Sequence, residues 1–174
     1  IALIEAFIGA GKPVALVSSW GSNEELAAFK AALGTRFTAL VKADHRPEPG
    51  EVLADALLIR PDKNPNGTAA RALFGTAPAV VPADADLVLV WGEGADFGAI
   101  PATAKIVLLD AWLAPENGHA DVFLPLSIQT ERAGHYTNFE GVVSAFEPCF
   151  EPPAQALDAA RLFAALAGQA EAAA

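Results

Sequence analysis

The twelve residues Thr130 to Gly141, TERAGHYTNFEG, gather a histidine, a tyrosine, two glutamates, an arginine and an asparagine, the densest set of chemically capable groups in the chain. Glu131 and His135 are the two whose types suit general acid and base work, because each can hold or release a proton near neutral pH when its surroundings tune it. Such a pair also needs a nucleophile or electrophile to act on and a rigid element beneath it, and the local pattern supplies neither. The same residues make sense as a turn. Gly134 and Gly141 suit positive-φ positions, Thr137 and Asn138 can bond their own backbone, and VVSAF has the β-branched start of a strand leaving the loop. The stretch therefore reads as architecture, and no catalytic residue is assigned in it.

Glycine-containing turns are the next candidates. Gly92, Gly94 and Gly98 follow the apolar run DLVLVW, where glycines can let a pyrophosphate approach backbone N–H groups at a helix N-terminus. Glu93 and Asp96 stand inside that loop and would repel the phosphates, no basic residue follows until Lys105, and Pro101 interrupts any helix. A glycine-rich turn is the reading, with a nicotinamide-nucleotide-binding module as an alternative. SSWGSNEE is a further turn after a strand, and GAGK at Gly9 to Lys12 precedes a strand and so is no phosphate loop. His45, His119 and His135 could serve a metal with nearby carboxylates, but they fall on separate loops without short ligand spacing, so no metal site is assigned. Trp20, Trp91 and Trp112 each sit at or just past a strand end, which suits packing at the rim of a sheet. No catalytic, cofactor-binding or metal residue is assigned in the chain.

The elements that would position these groups form one unit of 174 residues. A 53% apolar composition and a mean hydropathy of +0.33 predict a core-rich domain, and no apolar run approaches the length needed to span a bilayer. Twenty-one acidic against 11 basic residues give a net charge of −10, which opposes nucleic acid or an anionic membrane surface as partner. The lone cysteine, Cys149, forms no internal disulfide and cannot by itself hold zinc or an iron–sulfur cluster. Isoleucine as first residue, without a signal sequence, suggests a piece of a longer polypeptide, and AEAAA reads as a frayed end.

Ile1, Ile4 and Ile8 share one helical face, and PVALVS follows as a buried strand. Ser22 with Glu25 is a capping-box signature opening a helix through Leu26, Phe29 and Leu33 that Gly34 stops. FTALV is a second strand, RPEPG and PDKNPNG punctuate an irregular connection around ALLI, and a short helix is predicted near Thr68 to Phe74. DLVLVW and KIVLLD are continuous apolar runs, as in strands covered on both faces. DVFLPL is a last strand confined to an edge by Pro125, and Leu162, Phe163 and Leu166 mark a closing helix. The expected fold is a doubly wound α/β domain, a mostly parallel Rossmann-like sheet with helices on both faces. Within it, 1–126 form the core, 127–153 a motif loop with a strand extension, and 154–168 the closing helix.

The segment ADVFLPLSIQTERAGHYTNFEGVVSAFEP resembles a stretch shared by the molybdopterin oxidoreductase superfamily. There a last strand of the form Ala-Asp-x-x-Leu-Pro is followed by an acidic residue, a glycine, Thr-Asn and Glu-Gly. Ala120, Asp121, Leu124, Pro125, Glu131, Gly134, Thr137, Asn138, Glu140 and Gly141 match in order. Within the superfamily, PLSIQTERAGHYTNFEG and DKNPN are most similar to the C-terminal part of the large iron–sulfur subunit of bacterial NADH:quinone oxidoreductase, respiratory complex I. The resemblance implies a scaffold segment without its own cofactor, with iron–sulfur clusters in an N-terminal part of the parent chain. Its implied partners are that part and other peripheral-arm subunits, at the cytoplasmic side of the bacterial inner membrane without direct insertion. Members commonly carry arginine where Val142 stands, and losing that cation weakens any hold on an anionic pterin dinucleotide. The rival reading is a domain of a molybdenum or tungsten bis-pterin enzyme of the formate dehydrogenase type.

Overall fold

A computed structural model describes residues 9–43, 48–57, 59–115 and 118–172. The predicted helix over Ile1 to Ile8, His45 and the last residues of the tail lie outside them. Five parallel strands form the central sheet: β1 (Pro13–Val17), β2 (Thr38–Val41), β3 (Leu87–Trp91), β4 (Lys105–Asp110) and β5 (Val122–Pro125), in the order β2-β1-β3-β4-β5. Every residue of β1 and β3 is buried, which is why these segments read as unbroken apolar runs instead of alternating ones. β5 is an edge strand. Pro125 ends it without removing a ladder bond from a central strand.

Among the described residues three helices accompany the sheet: α1 (Asn23–Leu33), α2 (Gly67–Phe74) and α3 (Ala159–Ala172). Ser22 and Glu25 close a reciprocal capping box at the start of α1, the Ser22 hydroxyl accepting from Glu25 N at 3.1 Å and the Glu25 carboxylate from Ser22 N at 2.7 Å. Gly34, at φ 55°, ends the helix as its N–H bonds Lys30 O. α3 begins at Ala159, a little later than expected, where Asp158 accepts from Arg161 N at 2.9 Å.

All three described helices contribute to one core cluster, with Leu26, Phe29, Ala70 and Phe163 packed on Val17, Leu89 and Trp91. The opposite face, built on Val14, Leu16, Val88, Val90 and Leu108, is covered among the described residues by Ala85, Ala95, Ile100, Ala104 and the short 3-10 turn Phe97–Ala99. Pro78 and Pro82 precede Ala85, and Pro101 lies between Ile100 and Ala104, in the two connections that supply these covering residues. The helix side centres on three rings, with Phe29 to Phe163 at 4.5 Å, Trp91 to Phe163 at 4.9 Å and Phe29 to Trp91 at 5.1 Å between centroids. Gly21 makes this cluster possible, since a Cβ there would stand 2.3 Å from Trp91 Cη2.

Beyond β5, the strands β6 (Gly134–Thr137) and β7 (Val143–Phe146) pair antiparallel as a hairpin. Part of the stretch read as a turn is thus a strand. The turn itself is Asn138 to Gly141, where the Asn138 side chain accepts from Glu140 N and Val142 N and Gly141 takes φ 81°. Gly134 does not use a positive φ. It is small because a Cβ would lie 2.7 Å from Ser22 Cβ, so the hairpin presses directly on the capping box of α1.

Candidate functional site

β1 connects to β2 on one side and lies against β3 on the other, so the order of strands reverses between β1 and β3. In an open parallel sheet the connections after such strands diverge and leave a crevice beyond their C-terminal ends. That crevice is present here as a cleft of about 400 Å3. Ser18 and Trp20 follow β1, Gly92 and Glu93 follow β3, Asp110 and Trp112 come from the end of β4, and Ser127 lies just past β5. Lys63 and Asn64 reach it from the DKNPN segment, and Arg132 from the motif.

Four residues lining the cleft have a buried side-chain atom that makes no hydrogen bond among the described residues: Asn64 Oδ1, Asp110 Oδ2, Ser127 Oγ and Arg132 Nε, the last of which faces Glu25 Oε1 in an ion pair. Asp110 and Ser127 are only 7% and 5% exposed, so solvation does not compensate them. The other Asp110 oxygen accepts from Ala111 N at 2.6 Å. Burial pushes the Asp110 carboxyl above the usual carboxylate range, Glu93 adds to the rise, and Lys42 opposes it. Lys42 itself is buried and donates to Glu93 O.

Arg132 joins the cleft to the motif. Its Nε lies 3.0 Å from Glu25 Oε1 in a pair whose side chains are 12% and 4% exposed, and its guanidinium also donates to Ser127 O and to Trp20 O. Burial raises the Glu25 carboxyl, while Arg132 and Ser22 N hold it down. The rest of the motif is tied in the same way. Tyr136 donates to Trp20 O at 2.9 Å, and its ring stacks on Phe146 with centroids 4.5 Å apart. Thr137 N donates to Asn66 Oδ1 at 2.8 Å, and Asn66, wholly buried, donates in turn to Gly21 O at 2.7 Å and to Asn23 Oδ1.

The acid–base candidates are not brought together on a common target. Glu131 accepts from Ile128 N at 3.1 Å inside its own turn. His135 Nδ1 lies 2.6 Å from Glu24 Oε1, with both side chains about half exposed, and His135 N bonds the other Glu24 oxygen. Burial would raise the Glu24 carboxyl, but the bond to His135 and backbone donors outweigh it and bring it below the usual range.

Compared with known proteins, the chain matches no family model and no curated sequence. The remaining sequence candidates are placed by the geometry alone. Gly92 and Gly94 take positive φ as turn glycines, and the Gly98 N–H is bonded by the Asp96 carboxylate at 3.1 Å, where a phosphate oxygen would have to lie. With Glu93 in the same loop, the donor set does not fit a pyrophosphate, and hence not a pterin dinucleotide held by it. His119 lines a wider groove with Asp96 and Asp121, whereas His135 faces α1. No group of three or more metal-capable side chains occurs among the described residues. Of the three tryptophans only Trp91 is core packing; Trp20 and Trp112 are 40% and 59% exposed and line the cleft. The sequence reading did not find Asn64, Asp110 and Ser127. The available signal was topological, namely the first polar residues after successive apolar runs.

Proposed function

We propose that this chain is a scaffold domain of the large iron–sulfur subunit of a bacterial NADH:quinone oxidoreductase, supporting electron transfer from NADH to quinone without a catalytic site of its own. One observation carries the reading: the motif spends its polar side chains on its own fold and turns apolar ones outward. Glu131, Arg132, Tyr136 and Asn138 all bond backbone groups of this chain, and His135 bonds Glu24. Phe139, Val142 and Val143, by contrast, are more than half exposed. A motif that holds a hairpin in place and offers an apolar surface suits packing against the cluster-bearing part of its own chain and neighbouring peripheral-arm subunits.

Among the described residues no helix is long and apolar enough to cross a membrane. On the proposed reading the domain reaches the cytoplasmic side of the inner membrane only through its complex. The position of the cleft favours a second reading, a domain of a molybdenum or tungsten bis-pterin oxidoreductase, and the poor fit to a pyrophosphate opposes it. Elemental analysis of the intact parent protein from its native membranes separates the two. The expected result is iron without stoichiometric molybdenum or tungsten; stoichiometric molybdenum or tungsten overturns the scaffold reading.

A further inference from the structure

Asp110 and Ser127 line a cleft open to solvent at the end of the parallel sheet, and their buried Oδ2 and Oγ atoms make no hydrogen bond among the described residues. Asn64 Oδ1 lines the same cleft in the same state, its amide nitrogen being engaged with Asp62. A carboxylate oxygen and an amide oxygen can only accept, so these two atoms call for hydrogen-bond donors. A hydroxyl can meet either kind of group. Leaving such acceptors unmatched is costly, and unmatched buried acceptors concentrate where something else is bound.

Charge narrows the kind of donor. Arg132 is neutralised by Glu25, and Lys63 at the rim donates to Leu53 O at 3.0 Å. Lys42 lies behind the wall, bonded to Glu93 O, and offsets part of the Asp110 charge without lining the cleft. Glu93, Asp110 and Trp112 also line the adjoining groove, which brings Glu48, Asp96 and Asp121 to the same region. Two exposed indoles, Trp20 and Trp112, add the flat electron-rich faces that attract organic cations. An anion meets the carboxylates first.

We infer that the cleft beyond β1, β3, β4 and β5 binds a small organic cation, its protonated amine or guanidinium donating to Asp110, Asn64 and Ser127 and its apolar part lying against Trp20 and Trp112. A volume of about 400 Å3 admits a ligand of one ring with a short charged arm. The inference does not depend on the identity of the parent complex and stands or falls separately from it.

The test uses the full chain and two probes that share a phenyl ring and differ in the head group, phenethylammonium and 3-phenylpropionate, with inorganic pyrophosphate as a further control. Binding is followed by calorimetry and by the indole N–H resonances of Trp20 and Trp112. The expected result is saturable binding of phenethylammonium alone, moving both indole resonances. Asp110→Asn should weaken it by roughly tenfold or more. Asparagine keeps an oxygen for Ala111 N, so the fold survives, and Trp112→Ala offers a second variant at an exposed side chain. No saturable binding, equal binding of the phenylpropionate or pyrophosphate, or an affinity unchanged in both variants overturns the proposal.

Discussion

Arg132→Ala is expected to destabilise the domain by about 3–5 kcal/mol, because it leaves the Glu25 carboxylate buried without its counter-charge. The pair is 3.0 Å apart and nearly closed to solvent, so this is not an exchangeable surface contact. The loss also removes the guanidinium bonds to Ser127 O and Trp20 O, which clamp the motif to the strand ends. In a chain of this length the melting temperature should fall by roughly 6–20 °C. The pH dependence has a definite sign. Burial already raises Glu25 in the folded state, so its protonated form is the one the fold favours, and without Arg132 the carboxyl rises further. Stability linked to a raised carboxyl is present below the ordinary carboxylate pKa and is lost as pH rises through the folded value. The deficit of Arg132→Ala should therefore shrink on going from neutral pH toward pH about 4, near the unfolded glutamate value. Thermal melts of both proteins across that range check it. Pairing Arg132→Met with Glu25→Gln should recover much of the loss, since removing both charges spares the desolvation cost of either alone.

Phe29→Ala is the other large effect. The ring is wholly buried between Trp91 and Phe163, at the point where α1, α3 and the sheet meet. Removing it should cost about 3–5 kcal/mol from lost transfer and the cavity left behind. Denaturant unfolding should show a lower midpoint with an unchanged slope. Because Trp91 packs on Phe29 and also lines the cleft, this variant should in addition shift the Trp91 indole resonance.

These two positions also show what a sequence can and cannot disclose. Phe29 was legible as core because Leu26, Phe29 and Leu33 repeat at helical spacing, and the capping box was legible because Ser22 and Glu25 stand three apart. The sheet was legible for a similar local reason: strands buried on both faces, such as β1 and β3, read as unbroken apolar runs. Arg132 paired with Glu25 was not legible, since the two are joined only by the tertiary path of the chain. The strand β6 was missed because GHYT is held by polar bonds to α1 and Asn66 and by its pairing with β7, and its sequence lacks an alternating apolar pattern. The polar residues lining the cleft were hidden for the strongest reason. Ser18, Asn64, Asp110 and Ser127 come from four separate strand ends and loops, so no spacing links them until the sheet order is known.

The central claim is that the motif holds structure and carries no proton or electron. Glu131 contributes a bond to a local backbone N–H, and His135 contributes a half-exposed pair with Glu24, each worth about 1 kcal/mol or less. The most direct test is the NADH:quinone electron-transfer rate per assembled complex in the parent protein carrying Glu131→Ala together with His135→Ala, measured beside the amount of complex assembled. The account predicts a rate per complex within about twofold of the unaltered protein, with any loss appearing as lower stability or yield. A rate reduced by roughly a hundredfold or more in complexes that assemble normally would contradict it, because a loss of that size is the signature of a missing acid or base.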